Sequence, residues 1–249
     1  MKQNVCTIGI DLAKKIFHLV GTDITGKMVW RKRLTRHALI PFMAQLPPVT
    51  IGMEACGGAH YWARQFRPQG HTVKLMAPQF VKPYVKSNKN DRRDAEAIAE
   101  AVTRPTMRFV PIKDVAQQDI QALHRVRERL IGEQTALINE VHGLMHEYGI
   151  VMPTGVSKFR QAVAETLESE QDKLTPLSQE MCWRLVKEFA TLEEHIAVDQ
   201  EKLDTLAKTP PESQRLMTIP GIGPITATAL IAAVGDVEVL KNGRQFAAW

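Results

Sequence analysis

Cysteine is scarce in this 249-residue sequence, and Cys6, Cys56 and Cys182 are far apart with no CxxC pair among them. A disulfide framework and a zinc site are therefore both excluded as organising features, and thiols so sparse fit a reducing compartment. No apolar run approaches membrane-spanning length, and Met1-Lys2-Gln3-Asn4 leads into a short apolar run instead of the apolar core of a secretion signal. The expected location is the cytosol, without a membrane partner. Core-forming residues are not lacking: 44% hydrophobic and 24% charged content describes an ordered globular chain, long enough for one large domain or two smaller ones. The net charge of +5 and pI near 9.1 favour an anionic partner. Part of the excess is local, because Lys82, Lys86, Lys89, Arg92 and Arg93 face only Asp91 between Gln79 and Arg93. A phosphate backbone would need such a concentration of charge.

The first half of the chain alternates strand and helix signals. Val5 to Ile10 is a β-branched apolar run that closes on Asp11, Ile16 to Val20 reads as a second strand, and Met28 to Leu34 reads as a third. The polar turn Asp23 to Lys27 joins the last two, so an antiparallel meander is expected. Thr35 is placed to cap a helix through Leu46, which Pro47-Pro48 closes. Val49 to Glu54 is another apolar strand ending in an acid, followed by the turn Ala55-Cys56-Gly57-Gly58 and a helix over Ala59 to Arg67. Thr72 to Met76 is the next strand, Pro78 to Asn90 a basic loop, and Asp91 to Thr103 a helix. The order βββ, α, β, α, β, α is that of the ribonuclease H fold, an α/β class.

From Val115 the periodicity becomes helical. Ile120, Leu123, Leu130, Leu137, Val141, Leu144 and Tyr148 follow a 3-4 spacing with Arg127 and Gln134 as polar interruptions; Met181, Leu185, Phe189, Leu192, Ile196, Leu203 and Leu206 make a second stripe. Between them Gly149 to Gly155 reads as a turn and Ser157 to Glu168 as a shorter helix. A helical hairpin folded on itself, or paired with a second subunit, accounts for both stripes, which are assigned no chemistry. Near the end, Ile219-Pro220-Gly221-Ile222-Gly223-Pro224 lies between apolar helical patterns and looks like a helix-hairpin-helix turn, where Gly221 and Gly223 would let backbone amides approach a phosphate. The domains expected are 1–112, 113–210 and 211–249.

Four acids hold telling positions. Asp11 and Glu54 end two strands, while Asp91 and Asp94 open a helix three residues apart, a spacing that puts both on one face. In a ribonuclease H arrangement the first strand is central and lies beside the strand that follows the first helix, and the last helix packs across their ends. The four carboxylates could then converge. They would repel one another without a cation, and hard oxygen ligands suit Mg²⁺ or Mn²⁺, which support phosphoryl transfer. Each acid also has a plainer explanation. Asp91 suits a helix N-terminus, Asp94 a solvated face, Asp11 a strand-end turn, and Glu54 the amides of the loop after it.

The segments Gly9-Ile10-Asp11-Leu12-Ala13-Lys14, Met53-Glu54-Ala55-Cys56-Gly57, Asn90-Asp91-Arg92-Arg93-Asp94-Ala95 and Ile219 to Pro224 resemble, in order, the motifs of the DEDD transposases of bacterial insertion sequences. The resemblance implies a RuvC-like metal-dependent nuclease domain, a coiled-coil insertion used in assembly, and a C-terminal transposase domain. It makes Asp11, Glu54, Asp91 and Asp94 the catalytic metal ligands, with Mg²⁺ or Mn²⁺ as cofactor. Lys82, Lys86, Lys89, Arg92, Arg93, Gly221 and Gly223 would contact nucleic acid. DNA, a structured bridge RNA and further copies of the chain, as dimer or tetramer, are the implied partners, at the bacterial nucleoid. The family places its catalytic serine beyond the Gln-Phe-Ala-Ala-Trp segment. None of Ser87, Ser157, Ser169, Ser178 or Ser213 has a matching context, so the chain is expected to be incomplete for catalysis.

Three other readings stay open. A Holliday-junction or structure-specific nuclease would use the same acids without a serine, and a non-catalytic nucleic-acid-binding remnant would use the basic loop and the Gly-rich turn alone. An actin-like sugar kinase would explain Gly9-Ile10-Asp11, though no second phosphate loop accompanies it.

Overall fold

The computed structural model describes residues 5–85, 91–235 and 242–244, and of Asp91 and Arg92 the backbone. Two compact units divide at Asp114/Val115, the second running to Ala233.

The first unit is built on strands β1 (Thr7–Asp11), β2 (Ile16–Thr22) and β3 (Met28–Thr35), helix α1 (Arg36–Ala44), β4 (Thr50–Glu54), α2 (Ala59–Phe66), β5 (Thr72–Met76), α3 (Pro78–Val81), α4 (Asp91–Ala101) and β6 (Phe109–Val110). The six strands form one sheet in the order β3-β2-β1-β4-β5-β6. β1 to β3 are an antiparallel meander, β1, β4 and β5 are parallel, and β6 returns antiparallel to β5. This mixed α/β sheet, with β1 between β2 and β4, is consistent with the ribonuclease H-like arrangement.

Local chemistry explains the elements. The β2–β3 turn is tied by Asp23, whose Oδ1 accepts from the amides of Thr25 (2.9 Å) and Lys27 (3.0 Å) and from the Thr25 hydroxyl (2.7 Å). Alternation within the strands sends Ile8, Ile10, Phe17, Leu19, Ile51 and Met53 to one face, where they are buried with Leu39 and Met43 of α1 and Trp62 and Phe66 of α2. Buried His71 joins this layer: its Nδ1 accepts from the Val49 amide at 3.3 Å, which leaves Nε2 to donate to the Met43 carbonyl at 3.2 Å.

Some boundaries differ from expectation. Thr35 stands at the start of α1 but its side chain makes no capping bond, and the helix ends at Ala44, short of Leu46. Of the Pro78–Asn90 loop, the described part is ordered: Pro78 occupies the first turn of α3, and a 3₁₀ turn follows over Lys82–Tyr84. Strand β6 is two residues long, too short to leave a periodic signal.

The second unit contains α5 (Val115–His146), α6 (Val156–Ser169), α7 (Pro176–Lys208), α8 (Pro211–Met217) and most of α9 (Pro224–Val234). The Tyr148 hydroxyl just past α5 lies 2.5 Å from Ser178 Oγ at the start of α7, while Gln134 Nε2 reaches Glu193 Oε1 at 3.3 Å farther along both helices. These two ties make α5 and α7 antiparallel. Leu130, Leu137 and Val141 of the first stripe are buried with Phe189 and Leu192 of the second, and α6 closes the layer with Phe159, Val163 and Leu167. The polar interruption at Gln134 is buried and paired with Glu193, which also accepts from Arg160 Nε of α6 at 2.9 and 2.7 Å.

Candidate metal and nucleic-acid site

Asp11 and Glu54 are the last residues of β1 and β4. These strands are parallel neighbours in the register Gly9↔Gly52 and Ile10↔Met53, so the two acids occupy the matching next position. Since adjacent strands run about 4.8 Å apart, the two carboxylates start from neighbouring points on one side of the sheet. Both side chains are half-buried. Their field is felt nearby at Cys56, whose thiol pKa is raised first by desolvation, then by the Glu54 and Asp11 carboxylates.

The face that carries Asp11 and Glu54 also carries, two residues earlier, Gly9 and Gly52. The two glycines let α4 lie directly on the strands. A Cβ on Gly9 would overlap the Ala95 carbonyl oxygen and fall 2.5 Å from the Ala99 nitrogen; one on Gly52 would fall 2.8 Å from Val102 Cβ. The sheet-facing residues are accordingly Ala95, Ile98 and Ala99 of α4 and Val102 just after it, all buried. Glu100, Thr103 and Arg104, at and after the C-terminal turn of α4, share a groove with Thr22, Thr25, Gly26 and Met28, beside the start of β1. The first turn of α4 therefore points the other way, toward the strand ends that bear Asp11 and Glu54. Half-buried Asp94 belongs to that turn, immediately before Ala95.

The side chains of Asp91 and Arg92 lie outside the described residues, as do Lys86 and Lys89. Among the described residues no group of three or more His, Cys, Asp or Glu side chains is drawn together closely enough to hold a metal. Lys82 and Arg93 are exposed, Lys82 on the 3₁₀ turn and Arg93 on α4. Gly221 and Gly223 lie in the turn between α8 and α9, outside the sheet unit. Gly221 has φ +89° and so needs glycine, and a Cβ at either position would meet nothing within 4 Å. The turn presents an open backbone surface, as phosphate contact would require.

Other residues are more ordinary. Lys14 and Lys15 are exposed. The Lys113 amide donates to His60 Nδ1 at 3.2 Å, and burial, then Lys113 and Arg64, lowers the His60 pKa. The proximity of Cys56 to the acids was not visible in the sequence. Its only sequence signal is its place two residues after Glu54.

A mixed α/β sheet of this order, with acids ending adjacent central strands and a helix laid across them on glycine, is consistent with a ribonuclease H-like domain. Comparison with known proteins gives the group: a family model of DEDD IS110 type, described as "Transposase", matches residues 8–150, and one described as "Transposase IS116/IS110/IS902 family" matches residues 213–249. The chain belongs to this family of insertion-sequence transposases. It is 46% identical to a Pseudomonas aeruginosa protein named "Probable family 20 transposase", over 99% of this chain and 73% of the relative. It is 43% identical to the transposase for insertion sequence element IS1111A of Coxiella burnetii, over 99% of this chain and 68% of the relative. A third relative, the transposase for IS1328 of Yersinia enterocolitica, is 42% identical over 98% of this chain and 72% of its own length.

Proposed function

We propose that this transposase cleaves and exchanges DNA strands at a divalent-metal site formed by Asp11, Glu54, Asp91 and Asp94. The observation that carries the reading is the matched placement of Asp11 and Glu54 on adjacent parallel strands, with the first turn of α4 directed to the same end of the sheet. The donor set fits Mg²⁺ or Mn²⁺: all four groups are hard carboxylate oxygens. When bound, such an ion neutralises phosphate oxygens and favours ionisation of the attacking oxygen. The residues of the chain then do the positioning. Asp11 and Glu54, fixed by the sheet, set the floor of the site, and Asp94 and Asp91 close it from a helix that Gly9 and Gly52 hold in place. Lys82, Lys86, Lys89, Arg92 and Arg93 bind the strand electrostatically, and the turn at Gly221 and Gly223 contacts backbone phosphates.

In this reading residues 1–112 are the nuclease domain, 113–210 an assembly region and 211–249 part of a transposase domain. A structured guide RNA would supply target choice. Assembly into a dimer or tetramer would run through the long helices α5 and α7. The test is Mn²⁺ binding by the whole chain, followed by electron paramagnetic resonance. Asp11→Asn and Glu54→Gln should each weaken it at least tenfold, whereas Asp23→Asn, in the β2–β3 turn, should not. Equal binding by wild type and both site variants would sink the assignment.

A further inference from the structure

The strand register places two more residues in line with the acid pair. On the other side of Asp11 from Glu54, Asp11 pairs with His18 of β2, and His18 pairs with Arg33 of β3. Residues directly opposite one another in a ladder project from the same face. Arg33, His18, Asp11 and Glu54 thus form one cross-strand row at one end of the sheet, on the face that α4 covers farther down. The next row confirms which face this is: Arg31 pairs with Val20 in the ladder and forms an ion pair with Glu96 of α4. Lys32, between the two arginines, projects to the opposite face and lies 4.9 Å over the Phe42 ring of α1. A groove runs over this end of β2 and β3, lined by His18, Leu19, Val20, Arg31, Lys32 and Arg33; the Lys32 ammonium itself is turned to the Phe42 ring.

The charge of the chain is distributed to match. Between Asp11 and Glu54 stand Lys14, Lys15, Lys27, Arg31, Lys32, Arg33 and Arg36, against the single acid Asp23. Seven cations against one anion give this segment +6, more than the +5 of the whole chain. Asp23 is committed to its own turn. Basic side chains on an edge strand also guard it against pairing with another sheet. That role, however, does not require a row continuous with two carboxylates, nor cations on the covered face.

We propose that His18 and Arg33 form a phosphate-binding row that receives the DNA strand on the β3 side of the acid pair. The strand would cross the sheet end from Arg33, past His18, to Asp11 and Glu54. The guanidinium holds one phosphate and the imidazole donates to its neighbour. The inference deepens the metal-site reading above and rests on it for the direction of the strand.

Binding of a labelled DNA duplex by the whole chain, in EDTA and over a range of salt, tests it. Arg33→Ala and His18→Ala should each weaken binding roughly three- to tenfold, and Arg33→Ala should lower the slope of log affinity against log salt by about 1. Arg33→Lys should recover most of the loss, and Lys32→Ala, on the other face of the same strand, should bind as wild type. Unchanged binding by Arg33→Ala, an equal loss in Lys32→Ala, or a loss seen only with an RNA hairpin probe would overturn the proposal. Mn²⁺ binding separates the two readings. Asp11→Asn that loses Mn²⁺ while Arg33→Ala binds DNA normally overturns the row alone, and Asp11→Asn that keeps Mn²⁺ while Arg33→Ala binds weakly overturns the metal site alone.

Discussion

Gly9 and Gly52 carry no chemistry, yet they decide where the acids two residues later find α4. At Gly9 an added Cβ would meet the helix backbone, which cannot rotate away, so the helix itself must shift. At Gly52 the neighbour is the Val102 side chain, which has limited room to adjust. At Gly57 the space is open. We expect Gly9→Ala to cost about 1–3 kcal/mol, as overpacking typically does, Gly52→Ala less, and Gly57→Ala least. Urea denaturation of the three variants checks the order, and a Gly9→Ala as stable as wild type would contradict the close approach of α4. Because Asp94 rides on the same helix, Gly9→Ala should also weaken Mn²⁺ binding, although residue 9 has no side chain to offer a ligand.

At the scale of elements, the helical unit is joined by a polar tie as well as an apolar stripe. Glu193 of α7 takes Gln134 from α5 and Arg160 from α6, so one carboxylate connects three helices. Gln134 is 7% exposed, and losing its partner would leave a buried amide unsatisfied, at a cost of roughly 1–3 kcal/mol. Arg160 is exposed and returns to water when released. Glu193→Ala should therefore lower the unfolding midpoint clearly, and Arg160→Ala only slightly; equal effects of the two would show that the surface pair, not the buried amide, sets the energy.

The whole molecule has a pH dependence that follows from one histidine in each unit. His60 has a pKa lowered by burial, then by Lys113 and Arg64, and His124, 3.0 Å from Thr228 Oγ1, has one lowered by burial and then Arg127. Both are held below the ordinary value of 6.5. Below that pH the unfolded chain takes up protons that the folded chain refuses, so stability falls as the solution is acidified from about pH 6.5. Urea midpoints between pH 8 and 5.5 should decline, and His60→Gln and His124→Gln should each flatten the decline. A midpoint that rises on acidification would reverse the assignment.

Much of this was legible along the chain, because strands, helices and turns are written in short-range patterns. The alternation over Ile16 to Val20, the apolar runs that stop at Asp11 and Glu54, the i,i+3 acids of α4 and the heptad-like stripes of α5 and α7 each need only a few consecutive residues to be seen. Those signals were enough for the βββαβαβα order, for the nomination of four acids and for the family. Short pieces shaped by their surroundings, such as β6 and the turns at Pro78 to Tyr84, left too little pattern to read. Register was also out of reach. Which residue of β2 faces Asp11, which residue of β3 faces His18, and which glycine lies under Ala95 are properties of pairs brought together by folding, and neither member specifies its partner from its own neighbours. The types and spacing of the acids are local facts, whereas the row from Arg33 to Glu54 exists only because the sheet aligns four strands within hydrogen-bonding distance, and the approach of α4 to it only because the helix rests on two glycines.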